Sequence, residues 1–143
     1  MSNRRILCRC VVEGKAEGQA LVTDQPLCFW GGIDPKTGII IDRQHELQGQ
    51  DISGKIFVFP HGKGSVSSST VFLETARNDK APKAIVNIKT DPVLAVGGIL
   101  VKKLYGTSIP IVDSPDRTPT QLIRTGSRVK VNANEGVVVI IKK

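Results

Sequence analysis

Two stretches of this chain combine residue types that can do chemistry. The first is Phe57-Val58-Phe59-Pro60-His61-Gly62-Lys63-Gly64-Ser65-Val66-Ser67-Ser68-Ser69-Thr70. An apolar run ends in a Gly-Lys-Gly turn, and a serine cluster opens a helical pattern. A strand, a glycine turn and a helix start leave backbone N–H groups pointing outward, a setting that favours an anion or a developing negative charge. Ser65 places a hydroxyl at that point, with Gly62, Lys63, Gly64, Ser67 and Ser68 as the neighbours able to contact a ligand. A serine hydroxyl is a poor nucleophile near neutral pH and needs a base. The histidines are His45 and His61. Gly64-Ser65-Val66-Ser67-Ser68 lacks the second glycine of a Gly-x-Ser-x-Gly nucleophile elbow, which argues against an acyl-transfer triad. The other use of such a serine is as an alkoxide base. That requires preorganised donors and a cation, because a helix dipole alone supplies only about 1 kcal/mol. The N–H groups of Gly62, Lys63 and Gly64 and the Lys63 charge are the candidates. The plain alternative is structural: Ser67, Ser68 or Ser69 caps the helix and the glycines make the turn. A nucleotide P-loop is excluded, since Gly64 separates Lys63 from Ser65.

The second stretch is Phe29-Trp30-Gly31-Gly32-Ile33-Asp34. It reads either as a tight loop anchored by aromatics or as a place where Gly31 and Gly32 let the backbone approach a ligand or partner, with Asp34 beside it. Cys8, Cys10 and Cys28 lack metal-site spacing. Strand alternation puts Cys8 and Cys10 on one face towards the core, so buried free thiols are expected and no metal ligands.

The elements that must position these loops are legible as patterns. Ile6 to Val12 alternates as a strand, and Ala20-Leu21-Val22 reads as a short one. Cys28 to Gly38 is a long loop, followed by a strand at Ile39-Ile41. Ile56-Phe57-Val58-Phe59 is continuously apolar, as in a strand buried on both faces. A helix follows over 66–77, with Val71, Phe72, Thr75 and Ala76 on one side. Ala84 to Ile88 is another apolar strand. Asp91 N-caps a further helix with Pro92 at its first position, running to Tyr105 and stopping at Gly106, although Gly97-Gly98 inside it weakens the pattern. Ile109 to Val112 closes a βαβαβ order, which favours a parallel sheet with right-handed crossovers. Arg128 to Val131 and Val137 to Ile141 form a hairpin around Asn132-Ala133-Asn134-Glu135-Gly136. The fold class is α/β, a parallel core bracketed by antiparallel, barrel-like β segments, as one domain over residues 1–143.

The chain has 143 residues and a formal net charge of +7. The charge invites a nucleic-acid reading. The cations are scattered, however (Arg4, Arg5, Arg9, Lys102, Lys103, Arg124, Arg128, Lys130, Lys142, Lys143), and one Tyr, one Trp and four Phe make a poor stacking platform. The plain reading is a solvated basic surface; a third is that part of it meets an acidic partner or phosphorylated substrate, and a basic binding module without catalysis is the alternative from another class. No apolar run approaches a membrane span. The start leads straight into a strand, so no signal peptide is expected, and three cysteines suit a reducing cytoplasm.

The string Phe29-Trp30-Gly31-Gly32-Ile33-Asp34-Pro35-x-Thr37-Gly38, the Gly62-Lys63-Gly64-Ser65 turn with its serines, and Asp91-Pro92 together resemble the small subunit of the aconitase X family, from about Gly14 to Val131. The resemblance implies the swivelling β/β/α domain of aconitases and a hydro-lyase that works only with a large subunit. Archaeal members dehydrate (R)-5-phosphomevalonate to trans-anhydromevalonate 5-phosphate in the mevalonate route to isoprenoids. Related bacterial chains belong to cis-3-hydroxy-L-proline dehydratase. Aconitases carry a catalytic serine in a Gly-Ser-Ser-Arg turn; the matching position is Ser65, implied to be the proton acceptor. This chain has Val66 and Ser67 where that turn has serine and arginine; the arginine that binds substrate carboxylate there is absent, and the implied substitute is Lys63 or the large subunit. The family's iron–sulfur cluster, of the [4Fe-4S] kind, is implied to sit on cysteines of the large subunit, with none bound by this chain. The implied partners are that subunit and a small phosphorylated substrate, not nucleic acid or membrane.

Overall fold

The computed structural model describes residues 4–141. Met1–Asn3, Lys142 and Lys143 lie outside the described residues. Strands β1 (Arg4–Leu7), β2 (Arg9–Val12), β3 (Lys15–Val22), β4 (Ile56–Val58), β5 (Ala84–Val86), β6 (Ile111–Asp113), β7 (Arg128–Asn132) and β8 (Val137–Ile141) form one sheet. Its order is β1-β8-β7-β3-β4-β5-β6-β2. The run β3-β4-β5-β6 is parallel, whereas β8, β7, β1 and β2 join antiparallel. The two edge strands, β1 and β2, follow one another in the chain and are parted only at Cys8. One bent N-terminal segment therefore pairs with β8 on one side and β6 on the other, and the sheet closes on itself. Closure removes exposed edges.

The segment read as a single strand from Ile6 to Val12 is thus broken at Cys8, whose N–H reaches the Gly136 carbonyl at 2.9 Å. A register shift follows between Cys10 and Val12. The alternation is lost there, so Ile6 and Val12 are buried while Cys10 is exposed and Cys8 and Cys28 are only half-buried. The expectation of buried thiols is corrected accordingly.

The sheet buries both faces in its parallel part. Ile56, Val58, Ala84, Val86 and Val112 join Val129, Val131 and Val138 in one apolar cluster. Phe57, Phe59, Ile85 and Ile111 point the other way, into a cluster with Phe29, Phe72, Leu94 and Val101. That is the physical reason the β4 run is continuously apolar. The second cluster is roofed by α2 (Ser67–Arg77) and α3 (Pro92–Tyr105), which supply the crossovers between the parallel strands. α3 starts and stops as its sequence indicates: Asp91 Oδ2 accepts the Leu94 N–H at 3.2 Å, and Gly106 closes it with φ 70°. Its glycine pair is a packing device. A Cβ on Gly97 would lie 2.8 Å from Phe72 Cδ2, and one on Gly98 would lie 2.9 Å from both Ile111 Cδ1 and Val12 Cγ2.

Between β3 and β4 the chain makes one kinked turn, α1 (Phe29–Gly32), inside the stretch read as loop. Ile39–Ile41 is no strand; only the isolated bridges Ile33–Ile40 and Ile39–Asp51 form. The apolar residues there, Leu27, Phe29, Ile33, Ile40 and Ile52, are spent on burial against the helix-side core rather than on a ladder. A last short helix, α4 (Pro119–Leu122), precedes β7. No helix among the described residues is long and apolar enough to cross a membrane.

Candidate active site

The turn after β4, the loop after β3 and the start of α3 meet beyond the C-terminal ends of the parallel strands, the end at which parallel α/β sheets, open or closed, present their ligand sites. Two backbone bonds stitch the first two together: Leu27 N–H to the His61 carbonyl at 3.3 Å, and Lys63 N–H to the Leu27 carbonyl at 3.2 Å. Ser68 adds a side-chain tether. It is buried, its Oγ accepts the Trp30 N–H at 3.2 Å, and it lies 3.4 Å from Cys28 Sγ. Gly64 sits at φ 93°, and a Cβ there would lie 2.8 Å from the same sulfur. All three segments singled out by sequence thereby touch, since Gly62 packs against the Asp91 carboxylate.

Ser65 projects from this scaffold into solvent, as do Lys63, Gly64 and Ser67. The Ser65 hydroxyl accepts the Ser67 N–H at 3.0 Å. Gly64, Ser65 and Val66 donate no backbone hydrogen bond among the described residues. Val66, the residue before α2, already has helical backbone angles (φ -55°, ψ -30°) and no capping side chain, so the first turn is capped by the Ser65 hydroxyl through the Ser67 N–H, and not by Ser67, Ser68 or Ser69. The serines divide the work: Ser65 caps the first turn, Ser68 ties the loops, and Ser69 Oγ donates to the Val66 carbonyl at 2.9 Å. An alkoxide at Ser65 would hold the Ser67 N–H already and sit beside the unpartnered N–H groups of Gly64 and Val66.

The remaining sequence candidates are dispersed in role. Gly31 is exposed at φ 78° with open space around it, and Gly32 is buried against Leu27. Asp34 Oδ1 accepts the Lys36 N–H at 2.9 Å in a local turn. His61 Nδ1 lies 2.7 Å from the Gly62 carbonyl, which can only accept, so that nitrogen carries the proton. His45 is buried in the preceding loop, its Nδ1 accepting the Leu47 N–H at 3.1 Å. Neither histidine bonds Ser65.

A buried polar network, invisible in the sequence, supports the site from beneath. Asp113, at the end of β6, is fully buried and takes a bidentate pair from Arg9 at 2.8 and 2.9 Å. It also accepts the Thr90 N–H at 2.8 Å and the Ser114 hydroxyl at 3.2 Å. Burial opposes the Asp113 charge, but the Arg9 guanidinium, the Thr90 N–H and the Ser114 hydroxyl together hold its carboxyl below the usual carboxylate range. Thr90 Oγ1 reaches Asn87 Oδ1 at 3.1 Å, and Asn87 Nδ2 reaches the Phe59 carbonyl at 2.9 Å. The chain from Arg9 to Phe59 fixes Asp91 and the root of the Ser65 turn together.

Among the described residues, the cavity found here is too small for a substrate. The one lined by Leu27, Gly62, Lys63, Ser68 and Asp91 measures about 10 Å³. Roomier depressions of about 540 and 580 Å³ lie elsewhere, beside Arg4, Arg124 and Ile140 and beside Lys15, Ser53 and Lys83. The exposed face around Ser65 is instead flanked by large apolar side chains, with Val66 77% and Trp30 59% exposed. Among the described residues no group of three His, Cys, Asp or Glu side chains comes together as metal ligands. The half-buried Cys8 lies at the break between β1 and β2, the exposed Cys10 lies on β2, and Cys28 stands alone at the site, so these residues do not fit an iron–sulfur cluster.

The aconitase X swivel domain model matches residues 5–140. The chain belongs to the aconitase X swivel-domain family. This aconitase X chain is 40% identical over 135 residues to the phosphomevalonate dehydratase small subunit of Methanosarcina mazei, covering 94% of this chain and 90% of that one. The subunit of the same name from Archaeoglobus fulgidus is 43% identical over 138 residues, covering 96% and 99%. The crystal structure of Thermococcus kodakaraensis aconitase X in its holo-form superposes with a TM-score of 0.88 at 41% identity, covering 97% and 99% of the two chains.

Proposed function

We propose that this chain is the small subunit of a heteromeric phosphomevalonate dehydratase, with Ser65 as the proton acceptor. The observation that carries the substrate is the likeness, at 40–43% identity over more than nine-tenths of this chain, to archaeal subunits of that name. The geometry supports the division of labour. Ser65 and the unsatisfied N–H groups lie on an open face, whereas small-molecule sites typically enclose about 300–1,000 Å³. A large subunit seated over Trp30 and Val66 supplies the missing wall and buries apolar surface that otherwise faces water.

In this reading Ser65 Oγ takes the proton from the carbon alpha to the substrate carboxylate. The electron pair left behind forms the C=C bond as the hydroxyl on the next carbon departs as hydroxide, and the proton taken up by Ser65, released to solvent, completes the water and restores the serine's negative form. The Ser67 N–H and the helix N-terminus lower the cost of the serine's negative form, and Lys63 supplies the nearby cation. The iron–sulfur cluster implied by the family belongs to the large subunit, and nothing in the steps assigned here runs through it.

The test is turnover by this chain purified anaerobically with its large subunit, offered (R)-5-phosphomevalonate and cis-3-hydroxy-L-proline in turn. Dehydration of the first and not the second is expected. Activity on hydroxyproline alone would transfer the assignment to that substrate. Failure to pair, with salt-sensitive nucleic-acid binding, would favour a basic binding module instead.

A further inference from the structure

Asp91 holds more carboxylate than its helix needs. One oxygen, Oδ2, caps α3 at Leu94. The other, Oδ1, is buried and has no hydrogen-bond partner among the described residues. A serine or threonine would cap the helix without burying an unpaired oxygen, which costs stability. What Oδ1 touches is Gly62, the first residue of the Ser65 turn. Gly62 has no positive φ, so its backbone is open to any residue. Only Asp91 excludes a side chain there: a Cβ on Gly62 would collide with Oδ1 and lie 3.1 Å from Cγ and 3.5 Å from Oδ2, with no other residue as near. Asp91 is itself held from both sides, by the Thr90 N–H bond to Asp113 and by its own cap. The turn thus leans on a fixed post.

We propose that Asp91 is a positioning residue for Ser65, its second carboxylate oxygen setting how closely the Gly62–Gly64 turn approaches the sheet. This rests on the Ser65 reading above. Gly62→Ala should push the turn away from the post. A misplacement of about 1 Å lowers turnover roughly tenfold to a hundredfold, with KM changed far less. Asp91→Ser keeps a cap acceptor while clearing the space beside Gly62, so the chain should still melt normally and pair with its large subunit.

The experiment is a double-mutant cycle in the heteromeric enzyme on (R)-5-phosphomevalonate, with Gly62→Ala placed in the native and Asp91→Ser backgrounds and Ser65→Ala assayed beside them. In the native background Gly62→Ala is expected to cut kcat at least about tenfold, and in Asp91→Ser by less than about twofold. An equal loss in both backgrounds, or native turnover in Gly62→Ala, overturns the positioning role. With Ser65→Ala inactive, that outcome leaves the Ser65 reading standing. Ser65→Ala at native turnover overturns both.

Discussion

Gly97→Ala separates packing from helix propensity, because the two give opposite signs. In an exposed helix interior, replacing glycine by alanine stabilises by about 0.8–1 kcal/mol. Gly97 is buried where α3 crosses α2, and the added methyl would lie 2.8 Å from Phe72 Cδ2 and 3.6 Å from Ser69 Cα. The ring cannot simply swing aside. Phe72 is fully buried and packs edge-on against Phe29 with centroids 5.3 Å apart. Forcing a methyl into such a core costs about 1–3 kcal/mol. The net expectation is a loss of about 1 kcal/mol, or a fall of roughly 2–4 °C in Tm for a chain of this size. Urea unfolding followed by far-ultraviolet circular dichroism measures it, with Lys103→Ala on the outer face of α3 as a near-neutral control. A higher midpoint for Gly97→Ala would refute the close α2–α3 approach on which the argument depends.

Other outcomes follow from the same contacts. Asp113 has a folded-state carboxyl held below its ordinary value of 3.8, so its contribution to stability is present above that value and is lost as pH falls through the folded one. Arg9→Gln should therefore move acid unfolding to higher pH, and an unchanged acid midpoint would argue against the buried pair. Burial first, then the charges of Asp113, Asp116 and Cys10, push the Cys8 thiol up to about 11. Its alkylation should be slow at pH 8 and accelerate towards pH 11, a profile that mass spectrometry of the labelled peptide resolves; rapid labelling at pH 8 would contradict it. Gly64→Ala forces an L-residue into φ 93° against Cys28 Sγ, and a loss of about 1–2 kcal/mol in urea unfolding is expected from the backbone alone.

The parallel core was legible because burial on both faces writes continuous apolar runs into β4 and β5, and because Asp91, Pro92 and Gly106 carry local capping chemistry. The Ser65 turn was legible for the same local reason, as glycines followed by serines mark a strand-to-helix junction. Other features depend on residues far apart in the chain. The break at Cys8 is set by its bond to Gly136, and nothing between Ile6 and Val12 signals it. The bonds among Arg9, Asp113, Thr90, Asn87 and Phe59 join several different elements and leave no spacing to read. Gly97 and Gly98 look like flaws in a helix until Phe72, Ile111 and Val12 are seen against them. Ser68 illustrates the limit within the site itself. Its neighbours suggest a ligand contact or a helix cap, yet the fold turns it inward to hold the Trp30 loop.

The central claim is that this chain brings Ser65 as the proton-accepting group to a site completed by a large subunit. The most direct measurement compares native and Ser65→Ala chains, each assembled with that subunit, for dehydration of (R)-5-phosphomevalonate. Loss of the only contact described for this hydroxyl, the Ser67 N–H at 3.0 Å, is a small change in an exposed turn, so assembly should persist. An intact complex whose turnover falls by at least about a hundredfold is expected. An intact Ser65→Ala complex with native turnover would contradict it.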